Sequence, residues 1–336
     1  MVLNNTENNN AEPPLFTYEN NVLRGKLVAR DSRYINVGRL LFDSLKSKPD
    51  FIAQVDTVTG LENTFGDITD RAIKCALWMQ KNGVGKGDIV AVSSHNHLDC
   101  VIPCVATLLL GATLNPWNYE MNIQLARHFM TMTHPKVIFA NEKSSGVLLE
   151  AAKIEVFHTK VVTFGNYPGT TPFSDVLKCH DKSAVDNFQY KDLNDPRDTA
   201  VILFSSGTTG LPKGVQLPHV SLLNVLLLDE GLTLKEEIPM WFSSLYWISG
   251  TLLTLKGISS CTKRIIGPDF EEKLACEIVE KYKVTWLMLS TSMANRFVRY
   301  NGLHNYDLSS LNQLFTGGAT LKAESQDLLR KHLPHT

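Results

Sequence analysis

No stretch of this sequence reaches the ~18 consecutive apolar residues that a membrane span needs. The most apolar run, Val101 to Leu114, is shorter and holds Pro103 and Gly111. It reads as a core helix leading into a strand. A charge excess is missing too: 33 Lys and Arg against 34 Asp and Glu leave a net charge of −1. No long-range field then favours nucleic acid or an anionic membrane. Cysteine is sparse and scattered. Cys100 and Cys104 lie one helical turn apart, but Cys75, Cys179, Cys261 and Cys276 supply no second pair, and no histidine cluster completes a zinc site. Reduced, mostly buried thiols in a soluble, intracellular protein are expected. The N-terminus lacks the charged-then-apolar order of a signal peptide. The last residues, Leu333-Pro334-His335-Thr336, lack a Ser-Lys-Leu peroxisomal address.

What is present is ordinary in bulk and informative in order. At 336 residues, 43% of them hydrophobic, the chain can bury a large core. An asparagine-rich start predicts a disordered tail over 1–20. Phe51 to Asp56 reads as a strand, with Thr59-Gly60 turning into a second. Thr64 or Asp67 can cap the next helix, whose buried face is Ile68, Ala72, Cys75, Ala76 and Met79. Gly83, Gly85 and Gly87 precede a strand, where a dinucleotide fingerprint would follow one, so they read as cap and turn. Strand and helix then alternate as far as Phe164, and 166–194 reads as an irregular surface connection. After residue 200 the alternation resumes: a helix from His219, an apolar helix after Leu245 to Gly250, strands at Arg264 to Ile266 and Val284 to Leu289, and a last helix over Leu321 to His332. Repeated β-α-β units predict an α/β fold of layered parallel sheets with helices on both faces.

One stretch stands apart. Ala200 to Phe204 reads as a buried strand, and Ser205-Ser206-Gly207-Thr208-Thr209-Gly210-Leu211-Pro212-Lys213-Gly214 follows it. Backbone N–H groups, hydroxyls and one ammonium are what a polyphosphate needs, because it offers only acceptor oxygens and dense negative charge. A Walker A loop is excluded, since that motif requires Gly-Lys followed by Ser or Thr. The order instead resembles the signature of the adenylate-forming superfamily, which contains acyl-CoA synthetases, 4-coumarate–CoA ligases and insect luciferases. A second segment, Thr316-Gly317-Gly318-Ala319, follows a strand and resembles that group's adenine- and acyl-lining turn. Paired glycines there leave room for a flat ring. The likeness runs from about Phe51 to the end.

The resemblance implies the N-terminal, AMP-binding (adenylation) domain of such an enzyme over 21–336. It also implies ATP-dependent activation of a carboxylic acid, fatty or aryl, to an acyl-adenylate and then acyl-CoA, with ATP, Mg²⁺ and coenzyme A as cofactor and co-substrates. Ser205, Ser206, Gly207, Thr208, Thr209, Gly210 and Lys213 are assigned to the ATP phosphates, with Lys213 catalytic. Gly317, Gly318 and Ala319 are assigned to adenine, and Trp247, Gly250 and Thr291 to the acyl pocket. No residue is assigned as a metal ligand. Two departures qualify this. Many relatives carry a carboxylate-orienting histidine in the segment Leu245 to Gly250, where Trp247 stands. An indole cannot carry a proton, which leaves Trp247 as an acyl gate or a plain core aromatic. The superfamily's later metal-binding glutamate, ribose-binding aspartate and mobile lysine have no counterpart up to Thr336. The expectation is a domain incomplete at its C-terminal end. The alternative function is a non-catalytic ATP- or acyl-binding fragment, and a peroxisomal place for complete relatives stays an implication only.

Overall fold

The computed structural model describes residues 16–25, 33–178, 180–206, 210–228 and 233–336. Two units emerge, divided after Arg33. In the first, strands β1 (Phe16–Glu19) and β2 (Val22–Gly25) pair as an antiparallel hairpin through Asn20 and Asn21, both at positive φ. The tail expected over 1–20 is therefore structured in its last residues. Asparagine tolerates the left-handed turn that closes such a hairpin. Residues 1–15 lie outside the described residues.

The second unit carries the rest. Its first half contains α1 (Val37–Ser47), β3 (Ile52–Asp56), β4 (Glu62–Thr64), α2 (Phe65–Lys81), β5 (Ile89–Ser93), α3 (Val101–Leu109), β6 (Thr113–Pro116), α4 (Ile123–Thr133), β7 (Val137–Asn141), α5 (Glu142–Ile154) and β8 (Lys160–Phe164). The connection over 166–194, expected to be irregular, holds β9 (Thr171–Pro172), α6 (Phe173–Val176) and α7 (Lys182–Asp186). It buries Phe173, Val176, Phe188 and Leu193, apolar anchors too widely spaced to show a period. Then come β10 (Thr199–Ser205), β11 (Lys213–Pro218), α8 (His219–Leu227), β12 (Pro239–Trp241), α9 (Ile248–Ser259), β13 (Arg264–Ile266), α10 (Glu272–Tyr282), β14 (Trp286–Ser290), α11 (Thr291–Val298), β15 (Gln313–Gly317) and α12 (Ala323–His332).

The strands form a seven-stranded sheet, β11-β10-β6-β5-β7-β8-β9, and a six-stranded one, β15-β14-β12-β13-β3-β4. All neighbours are parallel except β10–β11 and β3–β4. Period-two alternation sorts side chains to the two faces. Val90, Val92, Val137 and Phe139 join the largest core with α1, α2, α3, α8 and α9. Ala91, Ile138 and Ala140 join the opposite core with α4 and α5. Met240, Ile265, Leu287 and Leu289 pack on α10 and α11. The result is layered: helices, sheet, helices, sheet, helices.

Local chemistry sets the ends. Thr64 and Asp67 form a reciprocal capping box at α2, worth about 1 kcal/mol. Gly83 and Gly87 take φ of +78° and +87°, as a cap and a turn require. All the cysteines among the described residues are free thiols. Among the described residues no helix is long and apolar enough to cross a membrane.

Candidate active site

Strand β10 carries the serine- and threonine-rich loop to the carboxyl edge of the seven-stranded sheet. Ser205 and Lys213 are register partners that close the β10–β11 hairpin. The lysine therefore projects from the mouth of the loop and begins a strand. That strand escaped the sequence reading because its side chains are mostly exposed and prolines flank it. Ser205, Ser206, Gly210 and Lys213 are all exposed; Gly207, Thr208 and Thr209 lie outside the described residues. Gly210 has φ +146° and open space where a Cβ would stand. The loop is held from beneath. His128 Nε2 donates to the Pro212 carbonyl at 2.8 Å, and Asn115 Nδ2 donates to the Ile202 carbonyl at 2.8 Å. A Cβ on Gly214 would meet the Ile202 and Met132 side chains at 3.2 and 3.3 Å, so any larger residue there would need those side chains to give by a few tenths of an ångström.

Strand β15 delivers the second turn to the carboxyl edge of the six-stranded sheet. Gly318 takes φ +94°, and Gly318 and Ala319 are exposed. Thr291 was expected in an acyl pocket. Instead it is 7% exposed, and its hydroxyl donates to the carbonyls of Gly317 at 3.2 Å and Ala319 at 2.8 Å. Its hydroxyl thus holds the turn in place. Gly250 is buried, and a Cβ would lie 2.0 Å from the Ser244 carbonyl oxygen. Glycine is there so that the first turn of α9 can sit on the 243–244 backbone. Trp247 is 60% exposed at the start of α9, which removes the core-aromatic reading. Its ring meets Tyr246 edge-on at 5.3 Å, Tyr246 reaches Phe129 at 6.4 Å, and Phe129 stacks on Phe204 at 3.7 Å. That aromatic row links Trp247 to the residue just before Ser205. His219 is the first residue of α8, as expected for a helix-start residue, and its Nδ1 accepts the Val37 N–H at 3.1 Å.

Between the two carboxyl edges lies a cleft of about 450 Å³ lined by His95, Asn96, Tyr119, Asn141, Lys143, Phe242, Ser244 and Asp269 among others. Parallel sheets place ligands at this end of their strands. Two ties span it. The Tyr119 hydroxyl donates to Asp269 at 3.1 Å. Asn96 Nδ2 donates to the carbonyls of Phe242 at 3.2 Å and Ser243 at 3.1 Å. Asn141 caps α5 and reaches His95 Nδ1 at 3.1 Å. Burial, aided by Lys143 and opposed by Asp269 and Asp56, lowers the His95 pKa. Burial and then the neighbouring His95 lower His97 to about 4. Its Nδ1 accepts the Asp99 N–H at 3.2 Å, which leaves Nε2 to donate to Ser94 Oγ at 3.0 Å. Burial and Asp269 push the Tyr119 hydroxyl up to about 12. The sequence reading missed these residues. The available signal was a polar run, Ser93 to His97, directly after an apolar strand. Among the described residues no hydrogen bond joins the two motif turns to each other. No group of three or more His, Cys, Asp or Glu among them could hold a metal ion.

The layered sheets and the two glycine-rich turns at their carboxyl edges define an adenylate-forming domain. Residues 41–336 match the family described as AMP-binding enzyme, and the chain belongs to that family. It is 25% identical over 297 residues to 4-coumarate–CoA ligase 4 of Arabidopsis thaliana, covering 84% of this chain and 51% of that one. Acyl-CoA synthetase 7 of Caenorhabditis elegans is 27% identical over 290 residues, covering 81% and 52%. The solved luciferase-like enzyme from the nonluminescent mealworm Zophobas morio superposes with a TM-score of 0.86 at 27% identity, over 93% of this chain and 72% of that one. The chain spans about half the length of the curated relatives it matches.

Proposed function

We propose that this chain binds ATP and activates a carboxylic acid for transfer to coenzyme A. The observation that carries the reading is the β10–β11 hairpin, whose exposed mouth sets Ser205 opposite Lys213. The carboxylate oxygen attacks the α-phosphorus of ATP. An acyl–phosphate bond forms, and the bond to pyrophosphate breaks, its electron pair leaving with the pyrophosphate. Charge grows on that leaving group, and Lys213 with the loop donors is set to stabilise it. The thiol of coenzyme A then displaces AMP at the acyl carbon. Magnesium accompanies ATP; phosphate oxygens are its natural ligands, and the described residues offer no cluster of their own. The turn at Gly317 to Ala319 is open enough to receive the adenine ring. Trp247, exposed and joined to the hairpin by the aromatic row, borders the acyl group. A fatty or aryl acid suits that surface, as the names of the relatives also suggest.

The direct test is Lys213→Ala. Losing one charge-assisted phosphate contact costs about 1.5–3 kcal/mol, so ATP affinity falls by roughly 10- to 150-fold by calorimetry. The melting temperature without ATP stays unchanged, because the side chain is exposed. An unaltered ATP affinity removes Lys213, and with it the hairpin, from the proposed site.

A further inference from the structure

One turn of α4 carries the hairpin that holds Lys213. The helix is a fixed platform. Asn122 caps its start by accepting the Leu125 N–H at 3.0 Å, and Ala126, Phe129 and Met130 are buried in one core with Ala91, Ile138 and Ala140 of the seven-stranded sheet. Three side chains of this turn meet three different points of the hairpin. Phe129 stacks on Phe204 of β10 at 3.7 Å. Met132 Sδ stands 3.3 Å from where a Cβ on Gly214 of β11 would lie. His128 Nε2 donates to the Pro212 carbonyl at 2.8 Å. Positions 128 and 132 share a face because they are one helical turn apart, and 129 lies beside them.

The third contact bears on Lys213 directly. Pro212 has no N–H, so its carbonyl is its one backbone hydrogen-bonding group. The peptide between Pro212 and Lys213 is planar, so the direction of that carbonyl sets the direction of the Lys213 N–H and the place of its Cα. The two residues before Pro212 are open to solvent: Gly210 has free space where a Cβ would stand, and Leu211 is 58% exposed. On the other side, Lys213 enters the ladder opposite Ser205, its last register pair. The lysine is therefore aimed by one strand pair and one imidazole. A carbonyl only accepts, so Nε2 of His128 carries the proton in this bond.

We propose that His128 is a positioning residue for Lys213: it does not touch the ligand but fixes the peptide from which the ammonium reaches the phosphates. The inference rests on the proposed role of the hairpin as the ATP-phosphate site. Without the imidazole the 212–213 peptide is free to turn, and only part of the population presents the lysine. Apparent affinity then falls by that fraction. The net worth of one hydrogen bond limits the fall to roughly two- to tenfold.

The test is a double-mutant cycle read by calorimetric titration of the full chain with magnesium pyrophosphate. His128→Ala weakens binding by roughly two- to tenfold. In the Lys213→Ala background most of that loss disappears, because the two residues act through one contact. Two further variants separate the hydrogen bond from the bulk of the ring. His128→Gln places an amide N–H near the position of Nε2 and stays within about twofold of the unaltered protein. His128→Asn carries the same amide one methylene short of that reach and behaves as His128→Ala. A role in stability alone lowers the melting temperature of His128→Ala and leaves its pyrophosphate affinity, measured well below that temperature, unchanged; that result overturns the proposal. So does an equal loss from His128→Ala with and without the lysine. If Lys213→Ala weakens binding and His128→Ala does not, this inference falls alone. If Lys213→Ala changes nothing, the reading of the hairpin falls and this inference with it.

Discussion

His219 shows how one buried ring fixes a pH window. The residue is fully enclosed, and burial, assisted by Lys86 and opposed by Asp198, holds its pKa at about 4. The ordinary value is about 6.5. As pH falls, the unfolded chain takes up the proton first. The stabilising contribution is therefore complete above about pH 6.5 and is lost progressively down to about pH 4. His219→Asn keeps an acceptor near Nδ1 for the Val37 N–H and removes the titration. Its melting temperature should fall less steeply than the unaltered protein's between pH 6.5 and 4.5; parallel curves would refute the assignment. Thr291 gives a second prediction at this scale. Its hydroxyl holds two carbonyls of the Gly317 to Ala319 turn. Thr291→Val takes that donor from the half-buried Gly317 carbonyl and the exposed Ala319 carbonyl and should cost about 0.5–1.5 kcal/mol in denaturant unfolding, whereas Thr291→Ser should stay near the original stability.

Among the elements, α1 shows most clearly what a single sequence conceals. Its apolar positions do recur at helical spacing, with Val37, Leu40, Leu41 and Leu45 all buried. Yet the strands before it, β1 and β2, pair only with each other as an antiparallel hairpin, so α1 belongs to no β-α-β rhythm. Its place depends on Gly38, where a Cβ would lie 2.2 Å from the Leu108 carbonyl oxygen. Backbone meets backbone there, and nothing nearby can rotate away. Gly38→Ala should push α1 off α3 and cost more than about 2 kcal/mol. Gly85→Ala, with open space around it, should change stability by less than about 0.5 kcal/mol. Equal melting temperatures for the two variants would show that α1 adjusts freely. The contrast explains what was legible. Strands β5, β7 and β14 announced themselves through apolar runs between turn residues, and the serine- and threonine-rich loop through its own side chains. Strand β11 did not, because an exposed edge strand need not be apolar. The sorting of strands into two sheets did not either, because β3 pairs with β13 across some two hundred residues, and pairing at that range leaves no local trace. The close packing of Gly250 on the 243–244 backbone and of Thr291 on the 317–319 turn leaves no such local trace either.

At the scale of the whole molecule, the two sheets present their carboxyl edges to one cleft, and the two motif turns stand on different sheets. If one nucleotide engages both, with phosphates on the hairpin and adenine at the β15 turn, then ATP joins the sheets where Tyr119 and Asn96 already tie them. Hydrogen exchange separates this from binding at the hairpin alone, because exchange reports local opening segment by segment. ATP should slow exchange in peptides covering β10–β11 and, in the same sample, in peptides covering β14 to the Gly317 turn. Pyrophosphate should protect the hairpin only, and adenosine at high concentration the β14–β15 region only. The protection from ATP should exceed the sum of the two parts, because one ligand spanning both sites loses its rotational and translational freedom once rather than twice. Protection by ATP confined to the hairpin would place the adenine elsewhere and leave the glycine pair at 317–318 as a turn with no ligand to receive.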